Sequence, residues 1–156
     1  MRCINLILSF FVFLLTATSG YSSNVILRDI SGHTIPFDSL KGKWVLINYW
    51  ASWCQPCIDE ITELNRFYKK SNDKVALFAV NYDALPLSHQ LALIRKYKIS
   101  YPSLRHDPAR DLELGDIRGV PATFVFNPEG KLQGALYGSQ TLKSLNQAIS
   151  DHRENG

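Results

Sequence analysis

The stretch Trp50-Ala51-Ser52-Trp53-Cys54-Gln55-Pro56-Cys57 decides how this sequence is read. The apolar run Trp44-Val45-Leu46-Ile47-Asn48-Tyr49-Trp50 leads into it, and Ile58 to Lys70 follows with a different spacing. A continuous apolar run is what a strand buried on both faces requires. Beyond Pro56, residues Ile58, Ile61, Leu64, Phe67 and Tyr68 share one helical face, while Asp59, Glu63, Arg66 and Lys70 share the other. Pro56 suits a first helical turn, where its missing N–H is not needed. Acidic residues come early in this helix and Lys69-Lys70 late, as the helix dipole prefers. Two cysteines therefore stand where a buried strand gives way to a helix.

That placement is a redox site. A thiol must be a thiolate to attack a disulfide, and the free N–H groups of a helix N-terminus favour the anion. Cys54 is placed for a lowered pKa and is the expected nucleophile. Cys57, one turn on and more buried, is the expected resolving thiol, which breaks a mixed disulfide on Cys54. A zinc site needs about four ligands, and His33, His89, His106 and His152 are scattered without ligand spacing. They read as surface or packing residues, and no metal is expected. A static disulfide is the other bland reading, but so short a loop contributes little entropic stabilisation.

The chain has 156 residues, 46% of them hydrophobic and 20% charged, which suits one ordinary globular domain. Lys+Arg 17 against Asp+Glu 14 gives a formal charge of +3. That is too mild for nucleic acid, and the longest basic cluster is Lys69-Lys70. Met1-Arg2, the apolar run Ile4 to Leu15 and the small residues Ala17-Thr18-Ser19 form a secretory signal pattern. Residues 1–20 are therefore expected to be a signal peptide cleaved near Ser19 or Gly20, with a retained membrane anchor as the alternative. Residues 21–156 form the domain. Of the 3 cysteines, Cys3 precedes the apolar run and leaves with a cleaved signal. One close cysteine pair in an exported domain points to a pair that cycles.

Along the domain, Val25 to Arg28 and Thr34 to Phe37 read as short strands around a turn at Asp29 to His33, with Pro36 marking an edge or a strand end. Asp38 to Lys43 reads as a turn. Val75 to Val80 is a second buried strand, parallel to the first because a helix connects them. Pro86 to Tyr97 is expected to be a helix with Leu87, Leu91, Ile94 and Tyr97 inward. Tyr101 to Leu104 is extended, and His106 to Asp116 is a loop. Thr123 to Phe126 and Lys131 to Tyr137 form a hairpin about Asn127-Pro128-Glu129-Gly130. Thr141 to His152 closes the chain as a helix with Leu142, Leu145, Ala148 and Ile149 inward.

The Trp50-to-Cys57 stretch, together with Val120-Pro121-Ala122-Thr123-Phe124, resembles the thioredoxin superfamily, and within it the exported branch typified by TlpA, ResA and DsbE. The resemblance covers about Val25 to Ile149. It implies an α/β thioredoxin fold: a central mixed β-sheet flanked by helices, with an N-terminal strand extension and a central insertion. It implies a cis bond between Val120 and Pro121, packed against the cysteine pair, with the Val120 backbone offered to a substrate chain. Trp53, Gln55 and Pro56 would complete the substrate-facing surface, although packing is the default reading for Trp53, as for Tyr49 and Trp50.

One position departs from thioredoxins proper, which carry a buried Asp on the strand before the site. Here Asn48 occupies that place and cannot take a proton. Glu60, three residues after Cys57, matches an acid of the exported branch and is a candidate proton relay. The competing reading is a Glu that merely complements the helix dipole. Gln55 brings no charge between the cysteines, so a reducing couple is expected.

The expectation is therefore a thiol–disulfide oxidoreductase of the periplasm that reduces protein disulfides, for instance the haem-attachment cysteines of apocytochrome c during cytochrome maturation. No cofactor is expected. Without a nucleotide-binding glycine pattern, electrons come from a partner, and the resemblance suggests a membrane reductase of the DsbD type. The alternatives are a disulfide oxidase or isomerase, or a thioredoxin-fold binding or chaperone module. A peroxidase fits less well, because that chemistry needs a lone activated Cys in a different loop setting.

Overall fold

The computed structural model describes residues 25–150. The signal-peptide reading, Cys3 and the expected end of the last helix at His152 lie outside the described residues. A four-stranded sheet has the order β4-β3-β5-β6, where β3 is Trp44–Trp50, β4 Val75–Asn81, β5 Ala122–Phe126 and β6 Leu132–Tyr137. The strand β3 is parallel to β4 and antiparallel to β5, and β5 is antiparallel to β6. The helices are α1 (Gln55–Ser71), α2 (Leu87–Tyr97) and α3 (Leu142–Ser150). A separate antiparallel hairpin, β1 (Ile26–Arg28) with β2 (Thr34–Pro36), precedes the sheet. The mixed sheet, the helices and the N-terminal strand pair all match the expectation.

Every residue of β3 is buried, because it is an interior strand with both faces covered. Its alternation sorts the core into two layers. Trp44, Leu46 and Trp50 pack with Leu77, Ala79 and Val125 of the sheet, with Ile61, Leu64 and Phe67 of α1, and with Leu145 and Ile149 of α3. Val45, Ile47 and Tyr49 face the other way, against Phe124, Phe126, the hairpin residue Leu27, and Leu112 and Leu114 of the long loop before β5. The turn expected at Asp38 to Lys43 begins as a 3-10 turn, Phe37–Leu40. The Asn127 carbonyl closes the β5–β6 turn by accepting the Gly130 N–H at 2.8 Å, and Gly130 adopts φ +82°, a region that favours glycine.

The helix α2 departs from its expected inward face. Leu93, Ile94 and Tyr97, all half-buried, pack against the core, whereas Leu87 and Leu91 are half-buried without joining it, and Gln90 is the buried residue. The first half of α2 overhangs a cavity at the end of β4 instead of resting on the sheet. Tyr101 to Leu104 then returns beside β4, with Ser103 bridging Ala79 in parallel.

Candidate active site

The helix α1 starts at Gln55, directly after the C-terminal end of β3, so the loop of Ala51 to Cys54 delivers Cys54 to the mouth of the helix. Cys54 and Cys57 are joined as a disulfide with Cα atoms 5.2 Å apart. The Cys57 backbone N–H donates to Cys54 Sγ at 3.2 Å. This is the donor geometry that stabilises a thiolate on Cys54 once the disulfide is reduced. Cys57 is fully buried, whereas Cys54 keeps 5% of its surface in contact with solvent. Cys54 is thus less open than expected, because it lies within the apolar cluster against which Val120 packs. The difference between the two still favours an approach at Cys54.

The peptide bond between Val120 and Pro121 is cis. Pro121 is buried at the entry to β5 and its carbonyl accepts the Gly138 N–H at 2.9 Å, which ties the loop to the end of β6. Gln55 and Pro56 are exposed on the first turn of α1. Gln55 donates to Asp59 Oδ1 at 2.7 Å, and the Pro56 carbonyl accepts the Ser139 hydroxyl at 2.8 Å. Trp50 and Tyr49 are core residues, as expected, but Trp53 is 66% exposed. Its indole N–H donates to Asp83 Oδ1 at 2.8 Å, so the ring is pinned at the surface beside Cys54 instead of packing inward.

Glu60 is 2% exposed and lies in the second turn of α1, beyond the free N–H groups that a dipole-complementing acid would serve. Its two oxygens are held separately. Oε1 accepts from Asn48 Nδ2 at 2.8 Å, and Oε2 accepts the Gln140 backbone N–H at 2.8 Å. Burial raises the Glu60 pKa from 4.5 to about 7, although both hydrogen bonds pull it down. Cys57 and Glu60 lie at i and i+3, neighbouring positions on one helix face. The carboxyl group thus belongs to the same helix face as the buried sulfur, with its proton affinity near neutrality.

Asn48 is the residue whose part the sequence reading missed. Its Nδ2 also donates to Thr123 Oγ1 at 3.0 Å, and its Oδ1 accepts the Tyr101 hydroxyl at 3.3 Å. The signal was present. The alternation of β3 puts Asn48 on the same face as Leu46 and Trp50, toward α1, where Glu60 shares the stripe of Cys57, Ile61 and Leu64. Glu63, three residues on, caps the start of α3 by accepting the Leu142 N–H at 2.9 Å.

A family model described as the AhpC/TSA family matches residues 22–135. The chain belongs to that family. It is 32% identical over 120 residues to the thiol-disulfide oxidoreductase ResA of Bacillus subtilis, covering 76% of this chain and 66% of that protein. It is 29% identical over 125 residues to the thioredoxin-like protein YneN of the same organism, covering 79% of this chain and 73% of that one. Among solved structures, StoA from Bacillus subtilis matches with a TM-score of 0.65 at 24% identity, covering 79% of this chain and 93% of that chain. The structural likeness shows the thioredoxin fold. This AhpC/TSA member, with relatives of that name and its Cys54–Cys57 disulfide, is a thiol–disulfide oxidoreductase.

Proposed function

We propose that this chain reduces disulfides of protein substrates outside the cytoplasm, cycling between the Cys54–Cys57 disulfide and the dithiol. The observation that carries the reading is the Cys57 N–H aimed at Cys54 Sγ at the start of α1. In the reduced protein the Cys54 thiolate attacks one sulfur of the substrate disulfide. The substrate S–S bond breaks, one substrate thiolate leaves, and a mixed disulfide to Cys54 forms. Cys57 gives its proton to Glu60 and attacks Cys54 Sγ, which releases the second substrate thiolate and restores the Cys54–Cys57 bond. Two electrons pass from the protein to the substrate. Trp53, Gln55, Pro56 and the Val120–Pro121 loop form the surface on which the substrate chain lies.

The neutral Gln55 between the cysteines supports the reducing direction, since weaker thiolate stabilisation makes the disulfide less oxidising. The basic-then-apolar N-terminus supports export to the periplasm, by a cleaved signal or a retained anchor. Resemblance supports apocytochrome c as one substrate and a DsbD-type membrane reductase as the donor that returns the dithiol. A glutathione redox titration tests the direction. A potential near thioredoxin's, about −270 mV, is expected, and one near DsbA's, about −120 mV, makes the chain an oxidase instead. Intact mass of the exported protein tests the signal, and a mass that includes Met1 to Ser19 refutes cleavage.

A further inference from the structure

The apolar layer between the sheet and α1 encloses a polar cluster drawn from separate parts of the chain. Asn48 of β3, Glu60 of α1, Tyr101 of the extended segment beside β4, and Thr123 of β5 are each at most 3% exposed. Polar groups buried so deeply need hydrogen-bond partners. The two oxygens of Glu60 have partners of different kinds. Oε2 accepts the Gln140 backbone N–H at 2.8 Å, and a backbone N–H can only donate. Oε1 accepts from Asn48 Nδ2 at 2.8 Å, and a side-chain amide can present either a donor or an acceptor. Nδ2 also donates to Thr123 Oγ1 at 3.0 Å, and Asn48 Oδ1 accepts the Tyr101 hydroxyl at 3.3 Å. Both hydroxyls rotate and can donate or accept.

This set of bonds fits an ionised Glu60, which only accepts. A proton on Oε2 would point at the Gln140 N–H, and a proton on Oε1 would point at the Nδ2 hydrogens. Only the second conflict can be relieved. Turning the Asn48 amide over sets Oδ1 against Glu60. There it accepts the new O–H and the Thr123 hydroxyl hydrogen, while Nδ2 donates to the Tyr101 oxygen. The other groups facing Glu60 do not compete for the charge. Among the described residues no cation pairs with it. Burial holds Tyr101 neutral by raising its pKa well above the usual value. Cys57, on the same helix face, is the proposed proton donor.

We infer that Asn48 is the positioning residue of the proton relay: its amide turns over as Glu60 gains and loses a proton, and Oε1 is the oxygen that takes the proton of Cys57. The inference rests on the proposed transfer from Cys57 to Glu60 and adds the receiving atom and the partner that makes room for it. As Cys57 attacks Cys54 Sγ, its S–H bond breaks and the Glu60 Oε1–H bond forms. The second substrate thiolate leaves with both electrons of its bond to Cys54. Glu60 returns the proton to Cys57 when electrons from a dithiol partner reopen the Cys54–Cys57 bond.

The test follows the unaltered, oxidised protein by NMR across the Glu60 value of about 7. The side-chain carboxyl carbon of Glu60 reports its protonation. The Asn48 side-chain amide resonances should move along the same curve, and further than the Gln140 backbone amide. Asn48 resonances that stay still while Glu60 titrates would sink the turnover and leave the relay standing. A larger displacement at Gln140 would place the proton on Oε2 and refute the assignment. Asn48→Leu, close in volume, removes the donor that favours the ionised acid. The pH profile of the resolving step, read as release of the second substrate thiol, should then move alkaline by about one unit, a roughly tenfold slower step at neutral pH. An unmoved profile overturns the role of Asn48. A Glu60→Gln profile that matches the unaltered protein removes the relay instead, so the two failures are distinct.

Discussion

Replacing Glu60 with Gln removes a titration whose size and sign follow from the site. The Glu60 pKa is 4.5 in the unperturbed state and about 7 in the fold. At about 1.4 kcal/mol per unit this difference corresponds to about 3 kcal/mol. The folded protein holds the proton more tightly than the unfolded chain. The favourable contribution is therefore complete below pH 4.5, declines as the unfolded state ionises first, and is gone above the folded pKa near 7. Asp29 titrates in the opposite sense. Burial pushes its pKa up, but hydrogen bonds from His33 and Ser31 outweigh this and lower it from 3.8, so its effect is confined to more acid solution. Denaturant unfolding of the oxidised protein between pH 4.5 and 8 should then show a loss of about 3 kcal/mol from Glu60 alone. Glu60→Gln should flatten that slope. The amide is accommodated because Asn48 can turn its own amide to offer Oδ1, while the Thr123 and Tyr101 hydroxyls reorient. Rates of disulfide exchange for the two proteins should also diverge around pH 7, where the wild type gains its proton acceptor. A variant that keeps the wild-type pH slope, together with a superimposable rate profile, would falsify the placement of this proton.

Three further substitutions probe the remaining parts. Cys57→Ser should stall exchange after the first step and accumulate a mixed disulfide on Cys54, visible by non-reducing electrophoresis. Free release of the reduced substrate would mean that Cys57 is not the resolving thiol. Pro121→Ala should slow substrate exchange or trap mixed disulfides, and an unaltered rate counts against a role for the cis loop. Trp53→Ala, at an exposed position, should change stability by less than about 0.5 kcal/mol while raising KM for a protein substrate. A large drop in the thermal midpoint with KM unmoved would return Trp53 to the core.

The elements that a periodic pattern announces are the ones legible in the sequence. The continuous apolar run of β3, the 3.6-residue stripe of α1 and the Asn127 to Gly130 turn each carry a local cause, and each stands where expected. What escapes a sequence reading depends on contacts between distant parts of the chain. Leu87 and Leu91 have helical spacing, but no spacing rule shows that half of α2 overhangs a cavity. Packing is the default for an aromatic such as Trp53, and its exposure follows from Asp83, 30 residues away. By itself Asn48 signals only the loss of an acid. The fold brings it against Glu60, to which it donates a hydrogen bond. Cys54 is less open than a helix mouth suggests, because it joins an apolar cluster assembled from distant parts of the chain.

Two carboxylates of α1 bind backbone amides at the start of α3: Glu60 takes the N–H of Gln140 and Glu63 that of Leu142. The last described helix is thereby moored to the one that carries the disulfide. Any load that lifts α3 from its seat withdraws a donor from Glu60 but also lets water reach it, and because burial is the larger cause of its raised pKa the net effect is a weaker grip on its proton. The seating of α3 is thus coupled to the acidity of a carboxyl group on another helix.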